Sequence, residues 1–463
     1  MRHLPAGFPE RVAGTVGGPF VLSDPASLES YGVDALGQAY PADLVALPAT
    51  TSQISELARL CNVERIPIVV RGAGTGYTGG AVPLRGGLVI SLERMNRILE
   101  IDEINLLARV QPNVITGDLQ DAVERLGLFY PPDPASLKQC AIGGNVAECA
   151  GGPRAFKYGT TKRYVLALEA VLPTGEIIHT GSKAVKNVVG YDLTQLLVGS
   201  EGTLAIITEI VLRLIPKPLA RATLVAAFEN VKDAVEGVTE LIRRRVVPAS
   251  VELIDANSLA AVAEHLGRDV VPVGTGASVL IEVDGSAEAV AEEIQRVEGA
   301  CRAAKASSVR HARDDIEREM LWHWRRELSA ALARISPIKR NNDVVVPRGR
   351  VPELFELVEE IRNESRLPIA CFGHAGDGNI HVNIMIPPEQ HDGLERARGA
   401  ERRLFEGVVA LEGSISGEHG IGFTKAPYLG LELSLEEIAL MKRVKAAFDP
   451  RGILNPGKIF PDA

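Results

Sequence analysis

The chain has 463 residues, 46% of them apolar, room for about two to four domains with sizeable cores. A formal net charge of −9 argues against a polyanion-binding surface as its main role. The five cysteines, Cys61, Cys140, Cys149, Cys301 and Cys371, form no CxxC pair, which excludes a disulfide framework and an iron–sulfur or thiolate-zinc site.

No apolar stretch is long enough to span a bilayer, and the N-terminus has no apolar core of signal-peptide length. The expectation is a cytoplasmic protein, with any association with the inner face of a membrane left to a partner. Residues 1–40 read as a leader of turns and one short helix. Residues 41–218 read as one domain, in which β-like runs alternate with glycine-rich turns. The runs are Ile66–Arg71, Leu88–Leu92, Leu106–Gln111, Leu166–Pro173 and Leu204–Ile215, with helical patterns at Ser52–Cys61 and Thr116–Leu126. Pro216-Lys217-Pro218 ends this part, because proline twice over stops a strand and stiffens a linker.

Beyond it, residues 219–425 form a second domain. Strands are expected at Ala222–Phe228, Ser250–Ile254, Ser278–Val283, Pro368–Gly373 and Ile380–Ile386. Helices are expected at Val231–Arg244, Ala287–Ala304, Asp314–Ala333, Glu353–Asn363 and Leu394–Leu411. Long helices against an antiparallel sheet make an α+β, ferredoxin-like layer. Residues 426–463 form a C-terminal segment that returns to the first domain, with a helix from Ser434 to Asp449-Pro450.

Two stretches carry glycine chemistry. Arg71-Gly72-Ala73-Gly74-Thr75-Gly76-Tyr77-Thr78-Gly79-Gly80 follows a strand-like run and contains a formal G-x-G-x-x-G. A dinucleotide fingerprint of the Rossmann kind must open a helix, and Ala81-Val82-Pro83-Leu84-Arg85-Gly86-Gly87 cannot. What remains is a turn with free amides that a diphosphate can approach closely. Pro132-Asp133-Pro134-Ala135-Ser136, Ile142-Gly143-Gly144-Asn145 and Gly199-Ser200-Glu201-Gly202 add further small-residue loops. Together they suggest one long ligand lying against many turns.

A split polar cluster near the C-terminus carries a second chemistry. It comprises His374-Ala375-Gly376-Asp377-Gly378-Asn379-Ile380-His381-Val382-Asn383 and Gly417-Glu418-His419-Gly420. Imidazoles and a carboxylate beside buried strands are costly unless paired, tuned or metal-bound. A hairpin at Gly376-Asp377-Gly378 brings His374 and His381 together, and His381 and Asn383 share one strand face. With Glu418 they are expected to hold a divalent metal with open positions, zinc first, with manganese or iron as the alternatives. His419 is the expected base, histidine being the side-chain type suited to proton transfer near neutral pH.

The order R-G-x-G-T-G-x-x-G-G, P-D-P, I-G-G-N-x-A-x-x-A-G-G, G-S-E-G-T-L resembles flavin-linked enzymes of the vanillyl-alcohol-oxidase type. G-H-x-G-D-G-N-x-H-x-N, G-E-H-G-x-G and D-P-x-x-x-L-N-P-G-K-x-F resemble one branch of that family. That branch holds the D-type polypeptide of glycolate oxidase, flavin D-lactate dehydrogenases and D-2-hydroxyglutarate dehydrogenase. The resemblance implies FAD on Arg71, Gly72, Ala73, Gly74, Thr75, Gly76, Gly79, Gly80, Asp133, Ser136, Gly143, Gly144, Asn145, Glu201, Gly202, Ile207 and Asn455. Its first glycine loop has no histidine, so the implied flavin is non-covalent. The resemblance also implies that Arg325 and Lys339 clamp a substrate carboxylate, with Ser329 one helical turn beyond Arg325; the structural alternative for Arg325 is an exposed pair with Glu319 or Glu327. Trp322 and Trp324 are expected to fill core space.

The implied activity is oxidation of a D-2-hydroxy acid (glycolate, D-lactate or D-2-hydroxyglutarate). Electrons would leave to a quinone, an electron-transfer protein or a separate iron–sulfur subunit. A homodimer or a complex subunit is the implied assembly. A non-redox transferase of the alkyl-dihydroxyacetone-phosphate synthase type and a bare FAD-binding subunit are the alternatives.

Overall fold

The computed structural model describes residues 4–267, 276–336 and 338–461. The first three residues of the expected leader and the last two of the expected C-terminal segment lie outside them. The chain divides into two compact units, one of Met1–Gly151, Thr160–Lys217 and Glu418–Ala463, the other of Gly152–Gly159 and Pro218–Gly417.

The first unit opens with β1 (Val21–Leu22), β2 (Leu44–Ala46), β3 (Ile68–Arg71) and β4 (Leu88–Ser91), in the order β1-β2-β4-β3. β2, β4 and β3 run parallel. β2 and β4 are buried along their whole length, as parallel strands covered on both faces must be. The helix Thr51–Glu64 starts where the Thr50 side chain accepts from the Gln53 amide at 3.3 Å. It buries Ile54, Leu57, Ala58 and Cys61 against Ile68, Leu88 and Ile90.

The leader is more structured than its glycines and prolines suggest. It forms helices Phe8–Val16 and Pro25–Ser30 as well as β1. Phe8, Val12 and Val16 recur at helical spacing and enter the same core, which overrides the turn signals. The free edge of β3 is met by the far end of the chain: Ile68 donates to Ile453 O at 2.8 Å, and Asn455 donates to Ile68 O at 2.7 Å.

Next come β5 (Ile98–Asp102), β6 (Leu107–Val110), β7 (Leu128–Phe129), β8 (Val165–Val171), β9 (Ile177–Gly181), β10 (Ile206–Arg213) and β11 (Ile215–Pro216). Five of them make an antiparallel sheet in the order β5-β6-β10-β8-β9, and β7 pairs with β11.

The second unit holds β12 (Ala220–Phe228), β13 (Ser250–Asp255), β14 (Ala277–Gly285), β15 (Ser308–His311), β16 (Ile338–Val345), β17 (Ile369–His374) and β18 (Asn379–Ile386). They form one antiparallel sheet in the order β15-β12-β14-β13-β17-β18-β16. The helix Asp315–Ile335 packs Leu321, Trp324, Leu328 and Leu332 with Val262, Phe372 and Met385. Trp324 is thus core, and Trp322 donates its indole N–H to Glu282 Oε2 at 2.8 Å.

Gly152–Gly159 belongs to this unit although it interrupts the chain of the first. Lys157 Nζ reaches Asp284 Oδ1 at 2.6 Å and Asp284 O at 2.8 Å, and Tyr158 Oη donates to Asp284 Oδ2 at 2.8 Å. Among the described residues, no helix is long and apolar enough to cross a membrane.

Candidate active site

The first unit carries the glycine loops. No helix lies between β3 and β4, so Gly72 to Gly80 is a turn and not a Rossmann fingerprint. A Cβ on Gly72 would lie 3.5 Å from Ala141 Cβ and 4.0 Å from Gly144 N, so this turn runs alongside Ile142-Gly143-Gly144-Asn145. The latter is not a loop, as the sequence suggested, but opens a helix, Ile142–Glu148. Its glycines escape helix-period reading because they carry no apolar signal. Asn145 is buried and donates to Thr116 Oγ1 at 2.7 Å.

A Cβ on Gly76 or Gly144 would meet nothing within 4 Å. Both backbones therefore face open space, as a cradle for an elongated diphosphate requires. Gly79, at φ 77°, has no room for a side chain because Phe423 packs on it. The Arg71 guanidinium folds against Gly74 and donates to Val33 O at 2.6 Å. Ala73 is exposed, and Thr75, Asp133 and Ser136 are half-buried. The loop bearing Asp133 is held by Gln120 Nε2, which donates to Tyr130 O at 3.1 Å and Pro132 O at 2.8 Å. Asn455 Nδ2 donates to Gly80 O and Glu201 O, each at 2.8 Å, joining three segments expected at the cofactor. Gly202 sits at φ 63° beside Asn455, and Ile207 is buried in β10.

Glu201 ties two distant segments of this unit together. Its carboxylate accepts from Ile421 N at 2.8 Å and Gly422 N at 2.6 Å, so it braces the turn that bears Glu418 and His419. The His419 ring stacks on Tyr77 at 5.3 Å and 28°, and Thr78 Oγ1 donates to His419 O at 3.0 Å. The Glu418 carboxylate lies over Gly151, where a Cβ would come within 2.6 Å of Oε2. Glu148 packs behind Gly420 beside Glu201. Burial, then the Glu201 charge, pushes the Glu148 carboxyl well above its ordinary range. Burial also brings Lys458 down to about 8, against the pull of Asp34, Glu201 and Glu148.

The second unit carries the histidine hairpin. β17 and β18 pair with His374 opposite Asn379, and Gly378 closes the turn at φ 86°. The His374 and His381 rings lie 5.4 Å apart at 86°. His374 Nδ1 stands 2.5 Å from Glu252 Oε1, and Arg325 Nε stands 2.5 Å from Glu252 Oε2. Arg325 also covers the Phe372 ring, its Cζ 4.9 Å from the centroid. Burial would raise the Glu252 carboxyl, but Arg325 and His374 outweigh it and hold it at about 2. The exposed helix pair belongs instead to Arg326, which meets Glu319.

Asp343 on β16 stands beside the other imidazole. Its Oδ1 lies 3.8 Å from His381 Nδ1 and accepts from Asn379 Nδ2 at 2.6 Å. Its Oδ2 accepts from Gly417 N at 2.9 Å, fixing the residue before Glu418. Asn383 is fully buried and donates to His381 O at 3.2 Å and Ala370 O at 3.4 Å. Lys339 Nζ donates to Ser329 O and Ser329 Oγ, each at 2.8 Å, and burial lowers its pKa to about 8. Arg325 thus meets His374 through Glu252, Lys339 meets Ser329, and Glu418 and His419 sit on a turn of the first unit. Glu252, Asp343, Tyr77 and Glu148 were not foreseen. The one available signal was a lone acid inside an apolar strand, as in Ser250-Val251-Glu252-Leu253-Ile254.

A glycine-cradled first unit with a second, antiparallel unit rich in buried charge defines a flavoprotein scaffold. The chain belongs to the FAD-linked oxidases: residues 42–181 match the FAD binding domain family, and residues 217–459 match the family described as FAD linked oxidases, C-terminal domain. It is 46% identical over 418 residues to the glycolate oxidase subunit GlcD of Bacillus subtilis (strain 168), covering 90% of this chain and 89% of that one. It is 37% identical over 430 residues to the D-lactate dehydrogenase of Anaerostipes hadrus, covering 91% and 90%. Its fold matches that of p-cresol methylhydroxylase with substrate bound, at a TM-score of 0.83 and 18% identity, over 98% of this chain and 96% of that one. The α+β, two-part architecture is therefore that of the vanillyl-alcohol-oxidase type, and the chain is an FAD-linked oxidoreductase.

Proposed function

We propose that this chain is an FAD-dependent dehydrogenase that oxidises a D-2-hydroxy acid (glycolate, D-lactate or D-2-hydroxyglutarate) to the 2-oxo acid. The observation that carries the reading is the buried Arg325–Glu252–His374 linkage. A guanidinium and an imidazole held by one carboxylate inside a strand layer suit an anionic substrate better than they suit stability alone.

The Gly72–Gly80 turn and the Gly143-Gly144 helix start would hold FAD non-covalently, and the flavin would supply the acceptor for a hydride from the substrate Cα. The donor set His374, His381 and Glu418 suits a divalent ion, most simply zinc, which would supply Lewis acidity toward the substrate hydroxyl and carboxylate. The remaining steps belong to side chains. Arg325 presents its planar fork to the carboxylate, with Lys339 as a second cation placed by Ser329. Asn383 orients the substrate or the hairpin. His419 takes the hydroxyl proton on its imidazole, in a ring orientation set by the Tyr77 stack and the Thr78 bond to its carbonyl.

Electrons then leave to a quinone, an electron-transfer protein or an iron–sulfur subunit; the five cysteines are dispersed, four of them buried. The test is an anaerobic absorption spectrum before and after D-lactate, D-2-hydroxyglutarate and glycolate. Bleaching by one D-acid and not its L-isomer supports the reading; a flavin band that none of them bleaches sinks it.

A further inference from the structure

We propose that Glu252 is the positioning residue of the second unit's site, a single carboxylate that sets the tautomer of His374 and the orientation of Arg325. The inference rests on the hydroxy-acid reading above and deepens it.

Strand register makes the arrangement. In the β13–β17 pairing, Glu252 stands directly opposite His374, so their side chains share a sheet face. Glu252 is 0% exposed, and both carboxylate oxygens are engaged, Oε1 by His374 Nδ1 and Oε2 by Arg325 Nε, each at 2.5 Å. An ionised carboxylate only accepts hydrogen bonds. Nδ1 of His374 must therefore carry the hydrogen. In the neutral ring that leaves the lone pair on Nε2, the form a cation-binding imidazole needs. The same carboxylate takes the Nε–H of Arg325 and leaves its two terminal nitrogens for a substrate carboxylate.

The near-isosteric E252Q is diagnostic because an amide has one accepting and one donating end. With its oxygen toward Arg325, its NH2 faces Nδ1 and drives the hydrogen to Nε2. With its oxygen toward His374, its NH2 opposes the Arg325 Nε–H. One function must fail.

The experiment uses the full-length holoenzyme with 15N-labelled histidine. The ring-nitrogen chemical shifts of His374 (assigned with a His374→Gln sample) report the tautomer without any need for turnover. An Nδ1–H tautomer is expected in the parent protein. In E252Q, with FAD content and circular dichroism retained, we expect either a move to Nε2–H with at least tenfold weaker Zn2+ binding, or a tenfold or greater rise in KM for the hydroxy acid. An Nε2–H or doubly protonated ring in the parent protein overturns the proposal, even if E252Q does not fold. So does an E252Q protein with unaltered tautomer, Zn2+ affinity and KM. A parent protein that shows the Nδ1–H form yet bleaches with no hydroxy acid overturns the substrate reading and leaves the positioning intact.

Discussion

Gly143 and Gly144 are neighbours in sequence that should respond to substitution in opposite ways. A Cβ on Gly143 would sit 2.6 Å from Pro112 Cβ and 2.9 Å from Pro112 O, whereas one on Gly144 would meet nothing within 4 Å. Gly143→Ala overpacks a wall of proline and backbone and is expected to cost about 1–3 kcal/mol. That corresponds to a fall of several degrees in the melting temperature of the apoprotein. Gly144→Leu replaces a poor helix former inside Ile142–Glu148 and should be neutral or stabilising by about 0.5 kcal/mol. Its side chain, however, enters the space we assign to FAD. FAD affinity should fall at least tenfold, about 1.4 kcal/mol. Calorimetry of the apoproteins and titration with FAD measure the two effects separately. A Gly144→Leu protein that binds FAD like its parent would refute the cradle.

Further expectations concern the second unit. Arg325→Ala strands the Glu252 carboxylate, which is 0% exposed, and should destabilise this unit by about 3–5 kcal/mol as well as raise KM for the hydroxy acid; unaltered denaturation and KM together would remove Arg325 from the site. Arg326→Ala breaks only the outer pair with Glu319 and should stay within about 0.5 kcal/mol of the parent in the same denaturation series. Lys339 is charged below about pH 8 and neutral above it, its burial having lowered it from 10.5, so KM should climb as pH rises through 8. In Lys339→Met that climb should vanish, and a parent-like pH profile would count against a clamping lysine. Removing divalent ions by chelation should abolish substrate bleaching while the flavin band stays, and Zn2+ or Mn2+ should restore it; full turnover after exhaustive chelation would rule the metal out.

Elements with clear apolar periodicity were legible in the sequence, among them the helix Thr51–Glu64 and the strands β17 and β18. β16 was not, because Lys339-Arg340-Asn341-Asn342-Asp343 reads as a polar linker, yet Asn342 and Asp343 are buried. The helix Ala256–Leu266 was missed because it starts directly after β13, with Asp255 serving as its N-cap through the Ser258 amide. At the site, the histidines declared themselves through a local hairpin. Their partners did not, because the pairing is long-range: Glu252 lies 73 residues from Arg325 and 122 from His374. Glu201 sat in a legible motif, but the amides that take its carboxylate are 220 and 221 residues away. A single sequence carries no signal for such a tie.

The closing of β3 by Ile453 and Asn455 also sets a clock on synthesis. A ribosome delivers β1 to β4 early, but the last edge of that sheet stays unpaired until nearly the whole chain has emerged. Meanwhile the second unit has all of its segments once Gly417 is out. It is therefore the part that can fold during translation, while the nucleotide-binding part waits with an open strand edge, the kind of surface that templates aggregation. Truncations that remove only the last dozen residues should thus yield insoluble protein rather than an active enzyme with a trimmed tail.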